Sequence, residues 1–367
     1  MTENKTSIEL EPMLKLATEA ARNGSCDIGL VANYGDTDET RFLLTPEACG
    51  LIISDGLNLC MEAGAGVDIS FNDSAYKEYG VLIGTRDEAL RCPVVLSFAP
   101  LRAADIRKMN EGATLLCMMD ITLFDPTVIN ALLERHITLG CLDNMYSHND
   151  EPVFANIIDE IDGRAAIMYA QENLSYLGGG KGVLLSGVAG INPCEVLIIG
   201  EGTDASAAAA AAYNAGAIVT VMDNDVSALQ AVRQTCGHHI QTILIHPRVL
   251  FNKIKTADVI LLGTTTRPFE IPANLKGAIK DTAFVLNIRE SHPSVSVPRT
   301  VAMAISNVLV NFFNEMRLKE DMYGMISTTE GVQSGIVTFG GKLVDKLVGS
   351  YLSMPSVDIS VMLAGKN

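Results

Sequence analysis

Basic side chains are in short supply. Lys and Arg number 27 against 43 Asp and Glu, for a formal net charge of -16. That balance excludes nonspecific binding to nucleic acid or to an anionic membrane surface, both of which call for basic patches. The eight cysteines include no CxxC pair and no metal-ligand spacing, so no metal site is expected. Cys117, within LLCMM, reads as a reduced buried thiol acting as a small hydrophobe, which points to the cytoplasm. A membrane-length apolar run is missing too, since Ser306 and Asn307 interrupt the long apolar segment from Val301 to Phe313. The opening residues MTENKTSIELEP lack the basic and apolar regions of a signal peptide. Neither membrane nor nucleic acid is expected as a partner.

What is present is enough apolar material for two cores: 367 residues, 48% hydrophobic and 19% charged. The organising stretch is EVLIIGEGTDASAAAAAAYNAGAIVTVMD, from Glu195 to Asp223. A short apolar run passes through Gly200, Gly202, Thr203 and Ala205 into an alanine-rich helix. A second apolar run then ends in Asp223. Strand, glycine turn, helix, strand and acid in this order make a dinucleotide-binding unit. Gly200 permits the tight turn, Gly202 lets backbone amides approach a pyrophosphate, and Ala205 lets the helix sit close to the sheet. Asp223 suits a ribose 2′-hydroxyl and hence NAD over NADP. Asp204 puts a carboxylate where phosphate charge is expected, which leaves a second reading open, a Rossmann unit kept for packing alone.

Before that unit, strands and helices alternate. Cys26 to Ala32, Val94 to Ser97, Thr114 to Met118 and Ile137 to Cys141 read as strands, and LNLCMEAGAG as a strand and a glycine turn. Pro12 to Ala21, Pro46 to about Asp55, Asp73 to Tyr79, Ala103 to Met109 and Pro126 to Arg135 read as helices. Thr45 caps the second of these and Pro46 occupies its first turn. The pattern predicts a second doubly wound domain, giving an α/β fold of two Rossmann-like domains. Glu151 to Tyr176 reads as a linking helix. Further strands follow at Thr242 to Ile245, Asp258 to Leu262 and Ala283 to Ile288, with a helix at Ser227 to Thr235. A helix from near Val301 returns toward the first domain, and the tail reads as helix plus the apolar piece ISVML. The expected domains are residues 1–153 with 310–367, and 154–309.

Other groupings carry less. His238, His239 and His246 lack a fourth ligand at suitable spacing and read as surface histidines. Gly178 to Gly180 with Lys181 has no Ser or Thr after the lysine and reads as a hinge or linker.

RFLLTPEACGLIISDG, MEAGAGVDISFNDSAYKEYG, GGGKGVLLSGVAGINPCEVLIIGEGT and SVPRTVAMAISN together resemble the alanine dehydrogenase and pyridine-nucleotide transhydrogenase family over nearly the whole chain. The resemblance implies two α/β domains with a cleft between them, NAD bound to the second, and a homo-oligomer. Catalytic members oxidatively deaminate an amino acid such as L-alanine to pyruvate, so a small amino acid or 2-oxo acid is the implied ligand. Arg41 matches the arginine that binds the substrate carboxylate.

Departures from the family pattern gather at the chemistry. No lysine occurs between Val94 and Pro100, and Asp120 stands where catalytic members have a histidine. A segment after Ile288 is shortened, and Asp159 replaces a serine. Asp204 stands where an apolar residue is usual. An unperturbed Asp is a poor proton donor at pH 7. Asp120 or His292 is then the candidate acid or base of an active amino-acid dehydrogenase. The alternatives are a noncatalytic NAD(H)- or carboxylate-binding relative, an assembly subunit, or a transhydrogenase component.

Overall fold

Short apolar runs set between capped helices build two sheets, the second wholly parallel and the first parallel apart from an antiparallel edge. The computed structural model describes residues 26–364 apart from 119–123, 148, 266 and 268, so the helix expected at Pro12 to Ala21 and the candidate Asp120 lie outside the described residues. One unit takes the chain through Ala155 and again from Pro298, and the other is Asn156–Val297.

In the first unit β1 (Ile28–Leu30), β2 (Leu59–Glu62), β3 (Leu82–Gly84), β4 (Val94–Ser97), β5 (Thr114–Cys117) and β6 (Thr138–Cys141) are parallel and lie side by side in the order 3-2-1-4-5-6. Every residue of β4, β5 and β6 is buried, as a parallel sheet covered on both faces requires. The connecting helices are α1 (Pro46–Ser54), α2 (Asp73–Glu78), α3 (Arg86–Leu90), α4 (Ala103–Ile106) and α5 (Pro126–Glu134). Thr45 caps α1 through Ala48 N, with Pro46 in the first turn. The sequence reading passed over β3 and α3, although Thr85 and Glu88 form a reciprocal capping box at the start of α3. α3 lies so close to β1 that a Cβ on Gly29 would stand 1.9 Å from the Ala89 carbonyl oxygen.

The second unit begins within α6 (Val153–Leu174). Its strands β7 (Glu195–Ile199), β8 (Ile218–Asp223), β9 (Gln241–Leu244), β10 (Val259–Leu262) and β11 (Phe284–Asn287) pair in parallel in the order 11-10-7-8-9. α7 (Thr203–Asn214) buries Ala205, Ala207, Ala208, Ala209 and Ala212. α8 (Val226–Cys236) follows β8, and α9 (Pro247–Thr256) follows β9. The sequence reading lacked α9, which Pro247 opens. A Cβ on Gly163 would stand 2.1 Å from the Asp204 carbonyl oxygen, so this glycine is what lets α6 and α7 touch.

The chain rejoins the first unit at α10 (Pro298–Leu318), a return that precedes the boundary expected at 309/310. The cause is local packing: Ser306 Oγ accepts from Thr45 N at 2.9 Å and donates to the Leu43 carbonyl at 3.3 Å. The tail is also more than helix and ISVML. β12 (Ile336–Phe339) pairs antiparallel with β6 and with β13 (Lys342–Leu343). Gly340 and Gly341, at φ 55° and 76°, make the two-residue turn that such a hairpin favours, and ISVML itself contributes the largely exposed helix Ile359–Ala364.

Candidate functional site

Open parallel sheets bind ligands beyond the carboxyl ends of their strands, where the strand order reverses. Each unit has one such crevice, between β1 and β4 in the first and between β7 and β10 in the second. A cavity of about 470 Å³ lies elsewhere, among Asp27, Leu57, Pro93 and His136 at the amino ends of the first sheet, away from both crevices.

In the first unit Arg41 sits in the loop before α1. Asn33 Nδ2 donates to the Arg41 carbonyl at 2.8 Å, the Tyr76 hydroxyl donates to Leu44 O at 2.8 Å, and Thr45 N is tied to Ser306. The loop is therefore held at both ends. The guanidinium lies over the Phe98 ring, 4.5 Å from its centroid, so one face is covered by the residue after β4. Its Nε and Nη2 donate to the two oxygens of Glu39 at 2.8 and 2.7 Å. This is the bidentate geometry by which an arginine grips a carboxylate, supplied here by the chain itself. Asn33 Oδ1, buried alongside, has no hydrogen-bond partner among the described residues.

A second charged group lines the same crevice. Arg86 bonds Glu62 and Asp105, both at 2.8 Å, and the Ala32 carbonyl at 2.9 Å. Tyr34 donates to Asp105 at 2.7 Å. Burial pushes the Asp105 carboxyl up, but the Tyr34 hydroxyl, Arg86 and Lys108 outweigh it and hold the group below its ordinary value. Nothing in the sequence reading singled out Glu39, Asn33 or Arg86. The available signals were Glu39 two residues before Arg41, and the TRDE box that seats Arg86.

In the second unit the glycine turn folds as expected but is closed from within. Gly200 adopts φ 144°, and a Cβ there would meet Thr264 O at 2.8 Å. Glu201 N and Gly202 N donate to Thr264 O at 2.8 and 3.2 Å. Asp204, only 1% exposed, accepts from Ala205 N at 2.8 Å, from Thr264 N at 2.8 Å and from the Thr264 hydroxyl at 3.2 Å. The room that Gly202 leaves is filled by Asp204 Oδ1 and the Thr264 side chain, each 2.6 Å from where a Cβ would stand. The Thr203 hydroxyl donates to Asn156 at 3.2 Å. Beside the turn, Asp223 ends β8 buried, and one of its oxygens receives Asp225 N at 2.9 Å. It faces a cavity of about 380 Å³ that also includes Ile245, Arg267 and Phe269.

A dinucleotide therefore meets two different receptions. The ribose side is open at Asp223. The diphosphate side does not fit the turn as folded, because the Glu201, Gly202 and Ala205 amides already have acceptors within the chain and a buried carboxylate adds negative charge.

His292 caps the short helix Ile288–Ser291 in the left-handed region, at φ 41°, and its ring is exposed. His238 receives Arg233 Nε at 3.1 Å, His239 stacks on Tyr213, and His246 precedes α9. No metal-holding group of His, Cys, Asp or Glu occurs among the described residues. Lys181, read as part of a hinge, pairs with Asp258 at 2.6 Å, and Lys280 pairs with the same oxygen at 2.9 Å. Burial raises the Asp258 carboxyl, but these two lysines and the Glu195 amide outweigh it and bring it to about 2.

Comparison with known proteins gives a consistent result. The family models for the N-terminal and C-terminal domains of alanine dehydrogenase/PNT match residues 32–156 and 166–272. Alanine dehydrogenase of Bacillus subtilis is 23% identical over 350 residues, 86% of this chain and 92% of the relative. That of Mycolicibacterium smegmatis is 24% identical over 362 residues, covering 89% and 97%. Among solved structures, an L-alanine dehydrogenase superposes with a TM-score of 0.81 at 18% identity, covering 89% of this chain and 99% of that one. A transhydrogenase from Sinorhizobium meliloti gives 0.71 at 18% identity, covering 86% and 100%. At such identities the structural likeness carries the fold alone.

Proposed function

The chain belongs to the alanine dehydrogenase/PNT family, and from that premise we propose that it is a relative that binds a small carboxylate, an amino acid or 2-oxo acid, at Arg41 without oxidising it. One observation carries the reading: Glu39 grips both donors of Arg41 in the geometry that a ligand carboxylate would adopt. An incoming carboxylate exchanges with Glu39 at little net cost, since one charge-assisted pair replaces another. Asn33 Oδ1 supplies a buried acceptor for an amine or an ordered water. Loss of turnover follows from the second unit, where the turn meant for the NAD diphosphate holds Asp204.

The experiment has two parts. Calorimetric titration with pyruvate and with L-alanine is expected to give saturable binding that Arg41→Ala abolishes. Assay of alanine-dependent NAD reduction is expected to show no rate above buffer. A second reading, an active NAD-dependent alanine dehydrogenase, draws on the stacking of Arg41 against Phe98, which would present the guanidinium to a substrate once Glu39 moved. In that case Asp120 or His292 would handle the proton. A measurable rate that Arg41→Ala removes would establish the second reading over the first.

A further inference from the structure

Asp204 is a charged group in an expensive place. A carboxylate 1% exposed at the mouth of a parallel sheet is tolerated only with full hydrogen bonding. It has that from two main-chain amides and the Thr264 hydroxyl. Amides at the start of a helix that follows a parallel strand are the usual receptor for a ligand phosphate. Here one of those amides, Ala205 N, already holds the carboxylate of Asp204, a residue of the helix's own first turn.

The neighbouring space is different. The cavity at Asp223 measures about 380 Å³, near the lower end of the roughly 300–1,000 Å³ typical of small-molecule sites. That is room for one nucleoside. Asp223 is 4% exposed, and the Asp225 amide occupies one of its oxygens. A carboxylate has about four acceptor positions, so a vicinal diol can still be held. Phe269 and Ile245 offer apolar surface for a base. Asp225 is committed to capping α8 through Ser227 N and Oγ and adds a second negative charge, against the single positive charge of Arg267. The lining thus favours an uncharged ligand over a phosphorylated one.

We propose that the second unit takes a nucleoside, through its ribose diol at Asp223, and turns away the dinucleotide because Asp204 already fills the phosphate place at the start of α7. This rests on the reading above in taking the turn to be without a bound diphosphate. The site works as half of a dinucleotide pocket, with the other half permanently self-occupied.

The test is calorimetric titration of the intact chain with adenosine, ADP and NAD+. Adenosine is expected to bind, and ADP and NAD+ to bind at least about tenfold more weakly, as repulsion between contacting negative charges in a partly desolvated site implies. Asp204→Asn, checked for folding by circular dichroism, is expected to tighten ADP and NAD+ about tenfold and to change adenosine less than about twofold. Asp223→Ala is expected to weaken adenosine about tenfold. Wild-type protein that binds NAD+ as tightly as adenosine, or that binds no adenosine, overturns the proposal. So does a folded Asp204→Asn with an unchanged preference. The outcomes separate the two readings: pyruvate failing to bind sinks only the earlier one, and NAD+ binding without turnover sinks only this one. Alanine-dependent turnover sinks both.

Discussion

Glu39 and Asp204 do the same electrostatic service in the two units by opposite means. Glu39 is a mostly buried side chain reaching a neighbour two residues away, with 15% of its own side chain still open to solvent. Asp204 is sealed in and held by the main chain of a different strand end. The first arrangement is reversible, because rotating Glu39 into water exposes an arginine that a ligand can satisfy. The second is part of the core, because removing the carboxylate strands two amides. Two crevices of the same topology thus differ in what each can accept, and the difference lies in how the anion is attached.

The comparison breaks most severely if the frames that hold the two anions are disturbed. Gly29→Ala in the first unit and Gly163→Ala in the second each drive a Cβ into a backbone carbonyl, at 1.9 and 2.1 Å. Each is expected to cost about 3 kcal/mol or more of stability in denaturant titrations. A loss below about 1 kcal/mol would mean that the helices yield easily and that neither crevice is rigid.

The next effect contrasts the two carboxylates directly. Asp204→Ala leaves two buried amides without acceptors and is expected to cost about 2–4 kcal/mol, whereas Glu39→Ala should cost less, about 1–2 kcal/mol, because the 15% of Glu39 open to solvent marks a way for water to replace it at Arg41. Equal losses in paired thermal melts would erase the distinction between guest and fixture.

A pH experiment sharpens it further. Asp258 falls to about 2 in the folded chain, below the ordinary 3.8 or so of an unfolded aspartate. Its contribution is therefore full above about pH 4 and is lost as the pH falls toward 2. Asp258→Asn should lower stability at pH 7 by about 1–2 kcal/mol once solvent screening is allowed for, and should flatten the acid limb of the stability profile. An unchanged limb would remove Lys181 and Lys280 as the anchors of that edge.

The smallest expected effect is on binding. Glu39→Gln weakens the internal competitor for Arg41 and should tighten pyruvate a fewfold in calorimetry, the worth of a partly exposed ion pair. Weaker binding would show that Glu39 helps to orient the ligand rather than standing in for it.

Much of this frame is legible in the residues. The run VLII, the glycines at 200 and 202 and the alanines of α7 announce a strand, a turn and a close-packed helix, because each step is decided within a few residues. Thr45 and Pro46 place the start of α1 for the same reason. The interior of the site is less accessible. Asp204 is visible as an oddity in the turn, yet its partner Thr264 lies 60 residues away, at the end of a strand that becomes a neighbour only through the crossover. The Ser306 contact with Thr45 spans 261 residues, so the placing of α10 with the first unit also escapes a local reading. The hairpin at Gly340 and Gly341 was readable from its turn chemistry alone.

One comparison reaches the central claim most directly: calorimetric titration of the wild-type chain with pyruvate and with NAD+ under identical conditions. The account predicts saturable pyruvate binding that disappears in Arg41→Ala, together with only weak binding of NAD+ and no reduction of it. Tight NAD+ binding accompanied by its reduction in the presence of L-alanine would contradict it.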